Sequence, residues 1–256
     1  MARYQDKVVI VTGGSQGIGE GIARAFVREG AQVVIASNDP ARGDALAATL
    51  GPRCRFLAVD VRREADLSTL IDTTVQQHGG LDCLVNNAGT HLAHRPIDAI
   101  TPDEFRALLD LNLVSTFMAC RLALPHLRRR AGTIINMASL VGTLGQAEAV
   151  DYVASKGAIV AFSKALAIDE ARHGVRVNSV SPGNIDTPLW QSFADASADP
   201  DQTRRDGAAS QWLGRLGTIE EVGRLCVYLA AEATFTTGVD HVISGGAEVG
   251  YGRKIK

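Results

Sequence analysis

Residues 7–19 read KVVIVTGGSQGIG, and they specify the fold class. The first six form an apolar, β-branched run that is typical of a strand buried on both faces of a parallel sheet. After the turn, apolar side chains recur at helical spacing, among them Ile18, Ile22 and Phe26. A glycine-rich turn thus joins a buried strand to a helix, and a helix that begins in this way offers free N–H groups to a phosphate.

The glycines of this turn predict close contact with a ligand. Gly13, Gly17 and Gly19 carry no Cβ where the backbone bends sharply and approaches a bound group. The helix that starts near Gly17 points the positive end of its dipole toward the same place. We therefore predict that the first strand–helix junction binds the phosphates of a nucleotide.

The rest of the chain alternates short apolar runs with helical patterns. Such βα units connect by right-handed crossovers, so the strands lie parallel and ligands bind beyond their carboxyl ends. The sequence predicts an α/β fold, a single-domain Rossmann-type doubly wound parallel sheet over residues 1–256, with a substrate lid at about 187–217. The predicted strands cover 7–12, 32–36, 54–59, 81–85, 133–137, 175–180 and 240–243, and the predicted helices cover 17–29, 41–50, 65–78, 102–129 with an interruption near Pro125, 152–172 and 220–230.

Composition narrows the possible functions. A chain of 256 residues with 46% hydrophobic and 21% charged residues is typical of one globular domain. The net charge of −2 argues against a nucleic-acid-binding face, and neither a run of 18 apolar residues nor a signal peptide is visible. The four cysteines lie far apart, which favours a reduced, cytoplasmic protein over a disulfide framework. We expect no nucleic-acid or membrane partner.

Motifs of one known family occur in order along almost the whole chain. The first is the T-G-x-x-x-G-x-G turn at 12–19, and the others are Asn86-Asn87-Ala88-Gly89, Asn112, Ser139, Tyr152-Val-Ala-Ser-Lys156 and Ser181-Pro182-Gly183. In this combination the chain resembles the short-chain dehydrogenase/reductase family. The resemblance implies an NAD(P)-dependent oxidoreductase that transfers a hydride between a nicotinamide cofactor and a secondary alcohol or carbonyl substrate.

Tyr152 and Lys156 are the residues with the clearest chemistry. They lie four positions apart on a predicted helix, so their side chains share a face. A free tyrosine has a pKa of about 10, and an ammonium beside the phenol lowers that pKa toward working pH. Ser139 follows the fifth strand, at the carboxyl edge of the sheet. Asn112 lies in an apolar helical segment, where a buried amide needs partners, and a purely structural asparagine is the alternative.

The resemblance assigns a role to each of these four residues, which form the implied catalytic tetrad. Tyr152 accepts the substrate hydroxyl proton, and Ser139 holds the substrate oxygen. Lys156 positions the nicotinamide ribose. Asn112 interrupts its helix and holds a water in a proton relay to Lys156. The cofactor contacts implied by the resemblance are Gly13, Ser15, Gln16, Gly17, Ile18, Gly19, Ser37, Asn38, Asp60, Val61, Asn87, Ala88, Gly89, Tyr152, Lys156, Pro182, Gly183, Ile185 and Thr187.

The end of the second strand departs from both nucleotide patterns of the family. An acidic residue there pairs with the ribose of NAD, and a basic residue favours NADP, but this chain has Ser37 and Asn38. Asp39 lies slightly late for the ribose contact, and Arg42 is a possible phosphate partner. Because a phosphate without a close cation is poorly stabilised, NAD is favoured as cofactor over NADP.

The substrate side is predicted from residues near the reacting groups. The implied substrate contacts are Ser139, His91, Gln146, Tyr152 and Trp190, with Glu148 a further candidate for the lining. Polar groups there favour a polyol or sugar, because unpaired buried polar groups penalise an apolar ligand. His91 and His94 form an H-x-x-H pair without nearby carboxylates or cysteines, so no metal is expected.

Within the family, the chain resembles one branch in four segments, QAEAV at 146–150, PGN at 182–184, TPLW at 187–190 and GGAEVGYG at 245–252. That branch is the type 14 17β-hydroxysteroid dehydrogenase, which is also associated with L-fucose oxidation. Asp186 stands where that branch carries a tryptophan, which weakens a steroid assignment. The family usually forms homotetramers through helices at about 102–130 and 150–172. Residues 250–252 (GYG) are candidates for contact with a neighbouring subunit.

Three alternative functions remain to be compared. An NADPH-dependent carbonyl or steroid reductase would use the same residues, and nucleotide preference would distinguish it. A hydrolase is disfavoured because no G-x-S-x-G turn is present. A non-enzymatic nucleotide-binding protein is disfavoured because it need not keep Asn112, Ser139, Tyr152 and Lys156 together.

Overall fold

The computed structural model describes residues 2–249 and contains a seven-stranded, fully parallel sheet. The strand order is β3-β2-β1-β4-β5-β6-β7. Each predicted strand is present, with ends within two residues of the prediction, and the predicted Rossmann-type fold is confirmed. The strands are β1 (Val8–Thr12), β2 (Gln32–Ser37), β3 (Cys54–Ala58), β4 (Cys83–Asn86), β5 (Thr133–Met137), β6 (Arg176–Pro182) and β7 (Asp240–Ile243).

Helices cover both faces of the sheet, as the alternation of side chains along β1 shows. Val9 and Val11 belong to one buried apolar cluster, whereas Val8 and Ile10 belong to another. Successive strand residues point to opposite faces, so a strand that is apolar throughout requires two cores. The helices are α1 (Gly17–Arg28), α2 (Pro40–Leu50), α3 (Glu64–His78), α4 (Pro102–Leu109), α5 (Ser115–Arg128), α6 (Val141–Leu144), α7 (Val150–Glu170), α8 (Pro188–Asp195), α9 (Pro200–Ala209) and α10 (Ile219–Ala231).

The strand order reverses at β1, which pairs with β2 on one side and β4 on the other. Crossovers leave in opposite directions from this point, so a crevice opens beyond the carboxyl ends of the two strands. Asn87 lies at the bottom of this crevice, next to the end of β1. Its side-chain amide donates to the carbonyl oxygens of Thr12 and Gly13, at 3.0 Å each, and its backbone N–H donates to Thr12 Oγ1 at 3.0 Å.

The helical run from α4 to α5 corrects one prediction. It is interrupted by a π-helical turn at Asp110–Val114 and continues through Pro125, where the sequence predicts the interruption. By length and composition alone this run, Pro102–Arg128, could cross a membrane, although the sequence contains no 18 consecutive apolar residues. Core helices of water-soluble proteins pass the same test, and this run packs against α3, α7 and the sheet.

The segment predicted as an irregular lid contains two helices. Thr187 caps α8 by accepting from the Trp190 N–H at 3.1 Å, and Asp199 caps α9 by accepting from the Gln202 N–H at 2.9 Å. A proline follows each cap, at the first helical position. Thr-Pro and Asp-Pro are therefore helix-start signals that the sequence prediction overlooked.

Candidate active site

A cavity of about 480 Å³ runs along the carboxyl ends of the central strands. It extends from the glycine turn after β1 to the start of α7, so it joins the predicted phosphate site to Tyr152. Of the predicted cofactor contacts, Gly19, Gly183 and Ile185 do not line it. Those that do are Gly13, Ser15, Gln16, Gly17, Ile18, Ser37, Asn38, Asp60, Val61, Asn87, Ala88, Gly89, Tyr152, Lys156, Pro182 and Thr187.

The turn between β1 and α1 has the form of a phosphate cradle. Gly13 adopts a φ of +61°, and a Cβ there would lie 2.8 Å from the Ala88 Cα. A Cβ on Gly19 would lie 2.1 Å from the Gly13 carbonyl oxygen, so this glycine permits the close packing beneath the cavity. Gln16, the N-cap of α1, makes no side-chain capping bond. The first N–H groups of α1 therefore suit an anionic ligand.

The far end of this cavity is lined by the residues that follow β2. The Asp39 carboxylate accepts from the backbone N–H of Arg42 at 3.1 Å, which caps α2. The exposed guanidinium of Arg42 lies 3.4 Å from the same carboxylate and also donates to Gln16 Oε1. Arg42 is thus held between Asp39 and Gln16 at the rim of the cavity.

Asp60 and Val61, two of the predicted cofactor contacts, lie at the same end of the cavity, after β3. The carboxylate of Asp60 accepts from Arg62 at 2.6 Å, and this hydrogen bond lowers the pKa of Asp60. Asp60 is therefore an anion already paired with a cation, and Arg62 lines the cavity as well.

Lys156 is buried, and its ammonium donates to the Met137 carbonyl oxygen at 2.8 Å. Burial lowers the pKa of Lys156 to about 8. Its Nζ atom lies 5.7 Å from the centre of the Tyr152 ring, so the two side chains share a face as the i, i+4 spacing predicts.

The pKa of Tyr152 differs from the prediction. Burial raises it above its ordinary value, and the hydrogen bond with Ser139 only partly opposes this shift. The sequence prediction of a lowered pKa was wrong for this state of the site, because it weighed the nearby ammonium and omitted desolvation. Lys156 also directs a hydrogen bond to the strand carbonyl of Met137.

Asn112 lies in the π-helical turn and is fully buried. Its Nδ2 donates to the Thr90 carbonyl oxygen at 3.0 Å and to Ser155 Oγ at 3.1 Å, and its Oδ1 accepts from the Thr90 N–H at 2.9 Å. Asn112 therefore lies at a helix interruption and is at the same time a buried amide whose hydrogen bonds are satisfied, so the two interpretations of this residue are compatible. A Cβ on Gly89 would lie 2.9 Å from Asn112 Oδ1, which accounts for glycine at the end of that motif.

A second cavity, of about 660 Å³, opens on the other side of Tyr152 beneath α8. All five predicted substrate contacts line it, and the ring of His91 lies 4.2 Å from that of Tyr152, centre to centre. Gly183 and Ile185, predicted to contact the cofactor, line this cavity instead. The residues common to both cavities are Ile18, Tyr152, Pro182, Thr187 and Leu189.

Two further residues that the sequence singles out lie outside both cavities. Glu148, the further candidate for the lining, is exposed, and its backbone carbonyl accepts from the Arg95 N–H at 2.7 Å. Asp186 is exposed and accepts from Gln191 at 2.7 Å. Leu189 and Phe193 of the predicted lid line the substrate cavity. Residues that the sequence did not indicate also line the cavities, among them Arg62, Thr90, Leu111, Met137 and His94.

The arrangement suits proton transfer at a substrate oxygen beside a bound nucleotide. Tyr152 separates the two cavities, with Ser139 as its hydrogen-bond partner and Lys156 behind its ring. A substrate under α8 would therefore reach the phenol from the second cavity, next to a group bound in the first. Within residues 2–249, no group of three or more potential metal ligands is present.

Comparison with known proteins gave consistent matches. A family model described as enoyl-(acyl carrier protein) reductase matches residues 13–248. An L-fucose dehydrogenase from Bos taurus is 54% identical over 252 residues, which cover 98% of this chain and 93% of that protein. An NADP-dependent (R)-specific alcohol dehydrogenase from Lentilactobacillus kefiri is 38% identical, with 95% and 97% covered. The structure of a 3-ketoacyl-(acyl-carrier-protein) reductase from Brucella melitensis complexed with NADH matches with a TM-score of 0.90 at 29% identity, covering 96% of this chain and 99% of that one.

Proposed function

The chain belongs to the short-chain dehydrogenase/reductase family and is an NAD(P)-dependent oxidoreductase acting on CH–OH groups, and from this premise we propose that it oxidises L-fucose with NAD⁺. The observation that carries the proposal is the polar edge of the substrate cavity. His91 and Gln146 face each other across 3.3 Å beside Tyr152, and they offer hydrogen bonds next to the reacting carbon. A sugar satisfies such groups, whereas an apolar ring leaves them unpaired. The 54% identity with an L-fucose dehydrogenase supports the same substrate.

The tetrad then performs the reaction as a proton transfer. The hydroxyls of Ser139 and Tyr152, hydrogen-bonded to each other, bind the reacting hydroxyl of the sugar. Tyr152, as phenolate, accepts the proton, and the Lys156 ammonium behind its ring stabilises that anion. Asn112 holds the π-helical turn open by bonding Thr90 and Ser155. When bound along the glycine turn, the nicotinamide cofactor supplies the hydride acceptor.

The rim of the nucleotide cavity supports NAD⁺ over NADP⁺. The Asp39 carboxylate lines this rim, and it would repel a 2′-phosphate. Arg42 and Arg62 are cations at this end of the cavity, but Arg42 is engaged by Asp39 and Gln16, and Arg62 is paired with Asp60. A ribose hydroxyl needs no cation, and Ser37 and Asn38 line the cavity beside it.

Replacing Asp39 with Asn tests this preference. The carboxamide still caps α2, but the negative charge is lost and Arg42 is released. We expect the ratio of kcat/KM for NADP⁺ to that for NAD⁺ to rise about fivefold, since an exposed charge pair contributes about 1 kcal/mol. The D44N variant, on the exposed face of the same helix, is the matched control and keeps the wild-type ratio. An unchanged ratio in D39N would reject Asp39 as the determinant.

Location and assembly complete the proposal. We place the enzyme in the cytoplasm, which the four buried free cysteines support because they need no oxidising compartment.

We also propose a homotetramer. Exposed apolar side chains on the helices that would pack together, Val114 and Phe117 near the start of α5 and Ile168 on α7, support this assembly.

The first experiment follows absorbance at 340 nm with L-fucose as substrate and NAD⁺ or NADP⁺ at equal concentration. We expect turnover with both nucleotides or with NAD⁺ alone, and a higher kcat/KM with NAD⁺. Galactitol and cyclopentanol serve as a second polyol and as an alcohol with one hydroxyl. Absence of L-fucose oxidation would reject the proposed substrate, and activity confined to ketones with NADPH would favour a carbonyl reductase.

A further inference from the structure

His94 is a feature of the substrate cavity that the catalytic tetrad does not explain. It lies in the loop that follows β4, is half-buried, and lines the cavity. Its Nε2 is 3.2 Å from Gln146 Nε2. Its ring lies 5.1 Å from that of Phe193 on α8, centre to centre. The side chain thus contacts both the lid helix and the residue that borders the reacting centre.

Gln146 bridges two imidazoles. Its Oε1 lies 3.3 Å from His91 Nε2, and its Nε2 lies 3.2 Å from His94 Nε2. A carboxamide has one accepting end and one donating end, so the two rings must play opposite roles at Nε2. Here His91 Nε2 donates to Gln146 Oε1, and His94 Nε2 accepts from the Gln146 N–H. Because His91 Nδ1 also lies against the Leu92 carbonyl oxygen, which can only accept, both nitrogens of the His91 ring act as donors. With either ring absent, the amide could rotate to the opposite direction.

We propose that His94 is a positioning residue that determines specificity for substrates with adjacent hydroxyls, by fixing the direction of the Gln146 carboxamide. This inference rests on the proposed function, in that it names how the same site distinguishes a polyol from a simple alcohol. His94 acts through Gln146, so it needs no contact with the reacting atoms.

The remaining hydrogen-bonding capacity of Gln146 fits a pair of hydroxyls. Nε2 carries a second hydrogen after donating to His94, and Oε1 keeps a second lone pair after accepting from His91. The side chain is exposed and borders the cavity. Two neighbouring hydroxyls, one accepting and one donating, satisfy both free positions at once. An alcohol with one hydroxyl uses that group at Tyr152 and leaves Gln146 unused.

The environment of His94 favours an accepting ring. Burial and the neighbouring His91 lower the pKa of His94, and the Glu148 carboxylate only partly offsets this. A neutral ring has a free lone pair for the Gln146 N–H. A metal role is disfavoured, because no third ligand joins His91 and His94 within the described part of the chain.

The test compares His94→Phe with the wild-type enzyme on two substrates. Phenylalanine keeps an aromatic ring against Phe193 but cannot accept the hydrogen bond. We expect the KM for L-fucose to rise about 5- to 10-fold with little change in kcat, as for the loss of one positioned hydrogen bond. The kcat/KM for cyclopentanol and the KM for NAD⁺ should stay at wild-type values.

Two further variants separate positioning from a structural role. In His94→Gln the new carboxamide can accept from Gln146, so we expect the KM for L-fucose to return to within about threefold of wild type. Gln146→Leu should raise the KM for L-fucose as His94→Phe does. The double variant should have a KM no higher than that of Q146L, since both substitutions remove the same interaction. Equal losses on both substrates, no loss on either, or failure of H94Q to restore the KM would overturn the proposal.

A failure of the role proposed for His94 can be distinguished from a failure of the proposed L-fucose oxidation. If galactitol is oxidised and L-fucose is not, the assigned sugar is wrong, and the comparison of H94F with H94Q proceeds on galactitol. If cyclopentanol is oxidised and neither polyol is, both the sugar dehydrogenase and the role of His94 are rejected.

Discussion

Tyr152→Phe should lower kcat/KM for alcohol oxidation by about 10³-fold, the middle of the range of about 10²- to 10⁴-fold for removing a general acid or base. The phenyl ring keeps the contact with His91 and still separates the two cavities. What is lost is the oxygen that bonds Ser139 and that we propose accepts the substrate proton. The measurement is the initial rate at 340 nm with saturating NAD⁺ over a range of L-fucose concentrations.

The expected loss is specific to the chemical step. Dissociation constants for NAD⁺, from titration of the protein's intrinsic fluorescence, should stay within about threefold of wild type, because the lost hydroxyl contributes at most one hydrogen bond to the cofactor. Tyr228→Phe, on α10 and 46% exposed, is the control and should retain full activity. If Y152F kept more than a tenth of the wild-type kcat/KM, Tyr152 would not be the proton acceptor.

The fold was predictable because its signals are local. The strands are short apolar runs bounded by turns, and a parallel sheet buried on both faces requires that pattern. The interruption of the long helix was not predictable in this way. Proline at 125 is a local signal for a break, yet the break is at Asp110–Val114, where Asn112 bonds Thr90 and Ser155. Those contacts join segments far apart in the chain, so no local pattern reports them.

The same distinction between local signals and contacts made by folding applies to the candidate site. Motif residues such as Gly13, Asn87 and Tyr152 were predicted and line the nucleotide cavity. The carbonyl of Met137 and the bridge from Gln146 to His94 depend on how loops meet in space. The raised pKa of Tyr152 arises from burial, which a spacing of four residues does not report. The four-residue spacing predicted that Lys156 lies beside the Tyr152 phenol, but it did not predict that the phenol is buried away from water.

Lys156→Met should lower kcat/KM by about 10²-fold or more if, as proposed, this buried cation both stabilises the phenolate and binds the cofactor ribose. Methionine fills the same volume without charge, and the Met137 carbonyl oxygen loses its donor. We expect a higher KM for NAD⁺ in addition to a lower kcat. The control is Lys164→Met, an exposed position eight residues further along α7, which should leave both constants unchanged.

The pH profile of K156M distinguishes the electrostatic role from simple loss of packing. Burial raises the pKa of Tyr152, and the Lys156 ammonium favours its ionised form, so alcohol oxidation gains rate as pH rises and the phenolate forms. In wild type the ammonium persists up to its own pKa of about 8, so its effect on the phenol is present below that pH. Without the cation, the phenolate forms only at higher pH, so the acid limb of kcat/KM must move upward in K156M. If the rate instead fell equally at every pH and the acid limb of kcat/KM stayed where it is in wild type, Lys156 would act through cofactor binding alone. Another group would then have to stabilise the Tyr152 anion.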